Sequence, residues 1–430
     1  MGQALVIGTG VIGAACALEL ARDGWAVTSV DRNAMAGHGS TSASSAMIRM
    51  HYSTWEGTAI AWEGAQYWKD WAAYVGLAAG TPLATFRQIG CLCLKHETND
   101  NLTRHIELST ALGIPHEVWG PEALRARLPG IALERYYPAK RPDAEDFAEP
   151  TGGEIEGAVF WPDAGYVTDP ALAAQNLLEA AQIAGARVVR AEVRGILGDG
   201  ARVTGLALAD GRELHADVVV NAAGPASSMI NRMAGVTGDM GIGLRPLRVE
   251  VVHLPAPPEY REAAPPGVSD ADIACYSRPE GDGSILVGSE DPPCDPHHWL
   301  DAVDGASQDL TEQADIQAMR YAQRMPEVGL PGSKRGIVGI YDASDDWIPI
   351  YDRSSRPGFY MACGTSGNQF KNAPVAGKLM AALIRYEAEG GDHDADPLTF
   401  RLDRTGVDLN AAFFSRRREI NRDSSFSVLG

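Results

Sequence analysis

The first 32 residues alternate between apolar runs and a glycine-rich turn. Leu5 to Ile7 form a short apolar run, Gly8 to Gly13 contain three glycines, and an apolar-periodic stretch continues to about Asp23. A second apolar run, Ala26 to Val30, follows. Because two strands joined through a helix lie parallel, this pattern predicts a βαβ unit of a parallel sheet.

Later segments repeat the same helical and strand patterns. Helices are predicted near Trp62–Val75, from the cap at Asp169 to Gly185, near Leu310–Arg324 and from about Pro374 to Tyr386. A strand over Phe86–Leu94 would place Cys91 and Cys93 together on a buried face. Residues 135–157 predict a long loop because they are rich in proline, glycine and acidic residues.

The second half of the chain changes character. The apolar runs Val249–Leu254, Ile273–Tyr276 and Ile285–Val287 alternate with proline-rich loops, which indicates an antiparallel sheet. An α/β pattern returns at Ile337–Ile340 and Phe359–Cys363, and we expect the last strand to join the sheet opened at residue 4. The predicted fold class is α/β plus α+β, with two domains built from interleaved segments.

Composition and net charge limit the classes of binding partner that we expect for this protein. The chain has 430 residues, 45% hydrophobic and 22% charged, as in ordinary globular proteins. It carries 37 Lys and Arg against 56 Asp and Glu, and a net charge of −19 repels nucleic acid and anionic bilayers. No apolar run approaches the ~20 residues that span a bilayer. Six cysteines without CxxC spacing and a start without a leader pattern favour a cytoplasmic protein.

The glycine turn carries the strongest chemical signal. In such turns the first glycine makes the tight bend, the second lets the backbone approach a pyrophosphate, and the third lets helix and sheet touch. These roles fall to Gly8, Gly10 and Gly13, and Asp31 ends the second strand where an acid would accept from ribose hydroxyls. The pattern predicts a dinucleotide site, with a packing turn as the alternative, and leaves NAD and FAD open.

Two further segments suit a bound ring system. Residues 39–49 are small and hydroxyl-rich and end in Arg49, as in a loop that donates hydrogen bonds to a cofactor or in a solvated loop. Residues 363–371 predict a strand, a glycine turn and a lysine entering a helix. Backbone donors there could stabilise negative charge on a reduced flavin; the alternative is a helix cap with a surface lysine.

Together these segments resemble the D-amino-acid oxidase and sarcosine oxidase family of FAD flavoproteins, and the sarcosine oxidase branch most closely. The resemblance extends to about residue 390 and depends on the order and spacing of motifs at 8–13, 39–49, 158–170, 218–224, 276–279, 339–341 and 364–371. It implies a Rossmann-like FAD-binding domain of the glutathione-reductase type over 1–85, 158–240 and 331–392. A substrate domain of 86–157 and 241–330 and a tail of 393–430 complete the expected organisation.

The resemblance also implies a reaction and a set of site residues. The reaction is hydride transfer to flavin from the amine-bearing carbon of a small secondary, N-methylated or cyclic amino acid, giving an imine that water hydrolyses. Arg49 and Lys371 match two cations that hold the substrate carboxylate, and Tyr276 matches an aromatic that lines the pocket. The residues that match cofactor-binding positions are Gly8, Gly10, Val11, Ile12, Gly13, Asp31, Arg32, Ser40, Thr41, Ser42, Ser45, Ala46, Met47, Val193, Ala223, Gly224, Gly339, Tyr341, Gly364, Ser366, Gly367, Asn368, Gln369 and Lys371.

Departures from the family pattern refine this expectation. Gly339 stands where some relatives tether FAD through a cysteine, so non-covalent FAD is implied. A lysine that promotes oxygen reduction in some oxidases falls within the apolar run 285–287, which leaves oxygen or an electron carrier as the acceptor. Ala46 and Asn368 replace an arginine and a histidine, and both changes would alter the electrostatics beside the flavin.

The sequence allows two interpretations of several residues. Arg278 is either a third substrate clamp or the partner of an acid, and Asp342, Asp345 and Asp346 either favour a cationic substrate end or form a surface turn. His297 and His298 suit a solvated loop better than a metal, and no metal site is predicted. The rival functions are an NAD(P)H-dependent flavin monooxygenase or reductase and a non-catalytic flavin-containing assembly protein. The sequence is compatible with a monomer or a homo-oligomer.

Overall fold

The fold is given by a computed structural model that describes residues 2–429. Its α-helices are α1 (Val11–Arg22), α2 (Trp55–Lys69), α3 (Trp71–Val75), α4 (Thr103–Ala111), α5 (Pro121–Arg127), α6 (Pro170–Ile183), α7 (Ser227–Ala234), α8 (Pro258–Ala263), α9 (Glu312–Arg324) and α10 (Ala373–Ala388). Short 3-10 turns occur at Glu97–Leu102, Gly224–Ala226, Thr237–Asp239, Phe370–Asn372 and Ala411–Phe414.

The strands come from all parts of the chain. Those of the first half are β1 (Gln3–Ile7), β2 (Ala26–Asp31), β3 (Met47–Ile48), β4 (Phe86–Gln88), β5 (Cys91–Lys95), β6 (Glu117–Trp119), β7 (Gly157–Trp161), β8 (Gly165–Val167), β9 (Arg187–Arg190), β10 (Val193–Gly198), β11 (Val203–Leu208) and β12 (Glu213–His215). Those that follow are β13 (Val218–Asn221), β14 (Leu244–Pro255), β15 (Gly267–Asp270), β16 (Cys275–Pro279), β17 (Ser284–Ser289), β18 (His298–Trp299), β19 (Gly336–Ser344), β20 (Ile350–Arg353), β21 (Phe359–Cys363), β22 (Thr399–Arg401) and β23 (Asp408–Asn410).

The first sheet contains the predicted βαβ unit. Its strand order is β20-β21-β13-β1-β2-β9, and all neighbours are parallel except β20 and β21. Both faces of β1 are covered, since Ala4 and Val6 join one apolar cluster while Leu5 and Ile7 join another. The expectation that the strand at 359–363 joins the sheet opened at residue 4 is confirmed.

Helices α1, α6 and α10 cover one face of the first sheet. Small residues let α1 and α10 approach closely, because a Cβ at Gly377 would lie 2.6 Å from the backbone oxygen of Ala15. The helices begin where the sequence signals them: the Asp169 side chain accepts from the backbone N–H of Leu172 at the start of α6. This layer places the N-terminal end of α1 at the carboxyl edge of β1.

The second sheet is predominantly antiparallel, as predicted. Its strand order is β18-β14-β17-β16-β15-β5-β7-β6, and β19 also pairs with β14. Strand β14 extends over Leu244–Pro255, well beyond the predicted Val249–Leu254, because β17, β18 and β19 share its length. The pair β5 and β15 is parallel. A separate apolar cluster beneath this sheet includes Leu92, Leu254 and Tyr321.

Two predicted elements are each divided in the structure. The helix expected near Trp62–Val75 is α2 followed by α3, and the chain bends at Asp70, where φ is −118°. The Trp68 and Trp71 rings stack at 4.2 Å across this bend. The strand expected over Phe86–Leu94 is β4 and β5, which belong to different sheets. Gly90 separates them with φ of +76° and no room for a Cβ beside Phe160.

The segment from residue 393, expected as a tail, packs across the body of the protein. Arg416 is buried and pairs with Asp352 at 3.1 Å and Asp394 at 2.8 Å. Arg418 pairs with the buried Asp346 at 2.7 Å. These ion pairs direct residues 424–429 back towards the region between the two sheets. Over the described residues, 2–429, no helix has the length and apolar character to cross a bilayer.

Candidate active site

The glycine turn between β1 and α1 forms a cradle of bare backbone. Gly8 has φ of +101°, and a Cβ there would lie 2.3 Å from the backbone oxygen of Ala222. A Cβ at Gly13 would lie 2.2 Å from the Gly8 oxygen, so the third glycine lets α1 touch the turn. Gly10 caps α1 without a side-chain hydrogen bond. The Val11 N–H donates to the Thr41 hydroxyl at 3.1 Å, and the N-terminal end of the helix faces the large cavity, where its dipole favours an anionic ligand.

Asp31 ends β2 beside this turn. Its Oδ2 accepts from the Thr9 backbone N–H at 2.6 Å and from the Thr9 hydroxyl at 2.8 Å, and its Oδ1 accepts from the Asn33 backbone N–H at 2.8 Å. The neighbouring Arg32 pairs with Asp304 at 2.5 Å. These bonds fix the Asp31 carboxylate at the mouth of the turn, where a ribose hydroxyl would be bound in a dinucleotide site.

A cavity of about 730 Å³ extends from the glycine turn to the second sheet. Its size suits an extended dinucleotide cofactor. The expected cofactor residues that line it are Gly8, Gly10, Val11, Ile12, Asp31, Arg32, Ser40, Thr41, Ser42, Ser45, Val193, Ala223, Gly224, Gly339, Tyr341, Gly367 and Gln369. The cavity is therefore surrounded by backbone and small hydroxyl side chains from widely separated segments.

Other expected residues lie behind this lining. Ala46 has φ of +49°, and its backbone oxygen accepts from the Val167 N–H at 3.0 Å. Ser366 accepts from the Ser344 backbone N–H at 3.1 Å and donates to the Gly364 oxygen, so both support the glycine turn after β21. Gly13 contributes to helix packing as described above. Met47 and Asn368 face a second, smaller cavity.

The smaller cavity, which we call the inner pocket, has a volume of about 50 Å³. This space takes only a few water-sized groups. Its lining residues come from the first-sheet turns, the second sheet and the C-terminal segment: Ser44, Ser45, Met47, Arg49, Cys91, Val268, Ser269, Tyr276, Ser277, Tyr341, Gly367, Asn368, Phe370, Lys371, Val428 and Leu429. The inner pocket thus contains all three residues that were expected to act on substrate, Arg49, Lys371 and Tyr276.

Arg49 is buried immediately after β3. Its Nη1 donates to the backbone oxygen of His51 and its Nη2 donates to the backbone oxygen of Val428, each at 2.6 Å. Its guanidinium lies over the Tyr52 ring at 4.3 Å. A permanent positive charge is therefore held at the pocket wall by neutral acceptors, and a carboxylate would be a stronger partner for it.

Lys371 lies in the 3-10 turn that leads into α10. Its Nζ donates to the Tyr52 hydroxyl at 2.7 Å and to the backbone oxygen of Asn368 at 2.6 Å. Burial, reinforced by the charge of Arg49, holds the pKa of Lys371 well below its ordinary value of 10.5. A bound anion would restore the charged form. The interpretation of Lys371 as a surface lysine is wrong, because only 2% of it is exposed.

Two tyrosines separate the inner pocket from the large cavity. Tyr276 on β16 and Tyr341 on β19 line both spaces. Glycines make room for their rings, because a Cβ at Gly288 would lie 2.4 Å from the Tyr276 hydroxyl oxygen and one at Gly367 would lie 2.3 Å from the Tyr341 ring. Burial raises the pKa of both phenols, so they stay neutral hydrogen-bonding groups.

The structure decides between the two interpretations of several charged residues. Arg278 pairs with Glu280 at 2.5 Å and lies over the Tyr166 ring at 4.2 Å, so it is the partner of an acid. Asp345 is exposed in the turn after β19, as the surface-turn interpretation expected, whereas Asp342 and Asp346 are buried. Asp342 accepts from the Thr365 hydroxyl, and Asp346 holds Arg418.

Three pocket features were missed by sequence reasoning. Val428 reaches the pocket from a segment that resembled a tail, and Ser269 lines it from a strand that was not predicted. Glu290 lies behind Ser269 and accepts its hydroxyl hydrogen bond at 2.6 Å. Glu290 comes shortly after the apolar run of β17. An acidic residue at that position is the only sequence signal that could have indicated a buried polar group there.

Comparison with known proteins agrees with this geometry. The family model DAO, described as FAD dependent oxidoreductase, matches residues 3–383. The beta subunit of sarcosine oxidase from Arthrobacter sp is 25% identical over 302 residues, which are 70% of this chain and 67% of that protein. Glycine oxidase from Geobacillus kaustophilus is 24% identical over 94% of this chain and 98% of its own. The crystal structure of L-proline dehydrogenase from P. horikoshii superposes with a TM-score of 0.75 at 21% identity, covering 97% of this chain and 99% of that one.

A βαβ glycine cradle beside a large cavity, roofed by a second sheet, defines a dinucleotide-binding fold. The family match covers most of the chain, and this protein belongs to the DAO family of FAD-dependent oxidoreductases. The residues present fit the cofactor: the cradle would hold the pyrophosphate, Asp31 the ribose, and the residues around Val193 the adenine end. When bound, FAD supplies the acceptor for a hydride.

Proposed function

We propose that this protein oxidises the C–N bond of a small secondary, N-methylated or cyclic amino acid. Arg49 and Lys371 hold the substrate carboxylate, and the imine product is released and hydrolysed by water. The observation that carries the proposal is the convergence of a buried arginine and a buried lysine from distant segments in one small pocket beside the cofactor cavity. Opposed cations of this kind orient a carboxylate and therefore the adjacent C–H bond.

The inner pocket supports a small substrate. Tyr276, Tyr341 and Phe370 enclose it with rings, and Val268, Val428 and Leu429 add aliphatic walls. Water is largely excluded from such a space, which strengthens the attraction between a carboxylate and the two cations. The similarity to glycine oxidase and L-proline dehydrogenase supports an amino acid of a few carbon atoms. Neutral walls next to the cations favour an uncharged side chain.

We also propose that the two sheets belong to separate domains built from interleaved segments. The first would comprise 1–85, 158–240 and 331–392, and the second 86–157 and 241–330. The strand orders support this division, because the first sheet uses strands at both ends of the chain while the second takes its strands from between them. The inner pocket would then lie between the domains, as ligand sites often do.

The experiment that tests the function is an anaerobic visible spectrum of the purified protein. Sarcosine, L-proline and glycine are added one at a time, and NADPH is added to a separate sample. Bleaching of the flavin by sarcosine or L-proline supports the proposal, bleaching by glycine alone would replace its substrate class with a primary amino acid, and readmission of air then shows whether oxygen accepts the electrons. If only NADPH bleaches the flavin, the reductase interpretation replaces the proposed function. If neither the amino acids nor NADPH bleach it, catalysis is removed from the proposal.

A further inference from the structure

A connected set of polar side chains lies behind one wall of the inner pocket. The Ser269 hydroxyl donates to Glu290 Oε1 at 2.6 Å. Cys93 is the register partner of Ser269 across the β5 and β15 pair, and its Sγ lies 3.2 Å from Nε2 of His51. Of this set, Ser269 faces the pocket directly.

Glu290 is an unusual group to find at this depth. It is 7% exposed, and its second carboxylate oxygen, Oε2, has no hydrogen-bond partner. Its backbone N–H is bonded to the Ala274 oxygen at 3.0 Å, so the main chain holds it in place. An unpartnered carboxylate oxygen in an apolar interior is costly unless the group carries a proton for part of its working cycle.

We propose that Ser269 and Glu290 form a relay that takes the proton from the substrate amine. This inference rests on the proposed function. The Ser269 oxygen accepts one proton from the substrate ammonium while its own hydroxyl proton passes to Glu290 Oε1. One N–H bond breaks, one O–H bond forms on the carboxylate, and the serine ends unchanged. The amine is left neutral with its lone pair free, as hydride loss from the adjacent carbon requires.

The charges around Glu290 suit this role. Burial, together with the nearby charge of Asp270, raises the pKa of Glu290 from 4.5 to about 8, while the Ser269 hydrogen bond and the Arg49 charge oppose the shift. The ionisable groups that face Glu290 from the neighbouring elements are Arg49, Cys91, Cys93, Asp270 and Cys275. The three thiols stay protonated, since burial raises their pKa values as well. Of these groups Glu290 has a pKa of about 8, close to neutral pH, and burial also raises the pKa of the adjacent Asp291, to about 7.

The test is the pH dependence of anaerobic flavin reduction, measured by stopped flow with sarcosine and with L-proline. In the parent protein the rate should rise through an apparent pKa near 8 that is the same for both substrates. Glu290→Gln keeps an acceptor for Ser269 but removes the base. We expect its rate at pH 8 to fall about 100-fold, which is typical of a lost proton acceptor. Its profile should follow the pKa of each substrate amine instead.

Matched serine variants separate a relay from a structural role. Ser269→Ala should reproduce the altered profile, and Ser269→Thr should restore the parent profile because it keeps the hydroxyl. Ser284→Ala removes a matched serine hydroxyl, which donates to Asp282 at 2.6 Å outside both cavities, and should leave the profile unchanged. If Glu290→Gln does not retain FAD, Ser269→Ala makes the same comparison.

The outcomes for function and relay differ. A parent protein that no amino acid bleaches at any pH overturns the proposed function. If amino acids bleach the parent protein but the rise in rate near pH 8 is still present in both Glu290→Gln and Ser269→Ala, the relay alone is overturned. Infrared titration gives a readout without turnover: the parent should show a protonated-carboxyl band that disappears through pH 8 and is missing in Glu290→Gln.

Discussion

The guanidinium of Arg49 is bonded through Nη2 to the backbone oxygen of Val428, a residue 379 positions away in the chain. Val428 and Leu429 line the inner pocket next to it. A substrate carboxylate at Arg49 would compete with this peptide oxygen. The C-terminal segment therefore forms one wall of the inner pocket, and its Val428 oxygen competes with a substrate carboxylate for Arg49.

Loosening this segment should strengthen substrate binding. Arg418 anchors the segment through Asp346 at 2.7 Å and the Ile348 backbone oxygen at 2.7 Å, so Arg418→Gln should release Val428 part of the time. A hydrogen bond to a charged group contributes about 1.5–3 kcal/mol, and we expect KM for the amino acid to fall roughly three- to tenfold. Steady-state kinetics with equal flavin content checks this.

The neighbouring arginine provides the control. The side chain of Arg417 is 56% exposed and reaches Asp394 only at 3.7 Å, so Arg417→Gln should leave KM unchanged. Equal KM values for the two variants and the parent protein would show that Val428 does not compete for Arg49.

Lys371→Met should separate substrate affinity from protein stability. The methionine keeps most of the side-chain volume but removes the charge, so we expect KM to rise about 10- to 100-fold and turnover to fall, with FAD still bound. The melting temperature should not fall, because the fold no longer buries an ammonium whose pKa is already lowered. Kinetics and thermal unfolding are measured on the same preparation.

Lys378→Met is the matched control on α10. Lys378 is 26% exposed and contacts Glu19 and Asp403, far from the pocket lining. It should change neither KM nor turnover. Unaltered kinetics in Lys371→Met would remove that lysine from the substrate site.

Gly13→Ala should damage the cofactor site through the packing of α1. The new Cβ would lie 2.2 Å from the Gly8 oxygen, so the turn or the helix has to move. We expect a loss of about 1–3 kcal/mol in the free energy of unfolding and a lower flavin-to-protein ratio. Gly238→Ala, where a Cβ meets nothing within 4 Å and which lines neither cavity, should change neither value. Full flavin content in Gly13→Ala would show that the turn tolerates the shift.

Glu290 should also make stability depend on pH. Its pKa in the folded protein, about 8, lies above the ordinary value of 4.5, so the folded state binds this proton more tightly than the unfolded state does. The resulting stability is present in full below pH 4.5 and is lost as the pH rises towards 8. Glu290→Gln should therefore gain stability relative to the parent protein between pH 5 and 8. Parallel denaturant unfolding at several pH values measures the difference, and a constant difference would contradict the raised pKa.

The cofactor side of the site was predictable because its signals are local. The spacing of Gly8, Gly10 and Gly13 dictates backbone geometry within a single turn, and Asp31 follows at a fixed distance in the same βαβ unit. Arg49 and Lys371 came from the family resemblance, and the structure places both in the inner pocket. The order and spacing of the family motifs were enough to predict that these two segments meet.

The substrate side was predictable only in part. Ser269 and Glu290 meet because two strands and the loop after β17 take a particular register, which no period of the sequence reveals. Asp346 resembled a surface turn because its neighbours are polar, yet it is buried by the returning segment that carries Arg418. Long-range ion pairs of this kind leave no local pattern.

The packing of α1 against α10 has a consequence for how the chain is made. Residues 11–22 meet their partner at 373–388 only after more than 350 further residues have been added. At a synthesis rate of about 5–20 residues per second this interval is roughly 20–70 seconds. Until then α1 packs against the first sheet and α6 but lacks its contact with α10. The helix whose N-terminus would bind the cofactor pyrophosphate thus gains its full support only when nearly all of the 430 residues have left the ribosome.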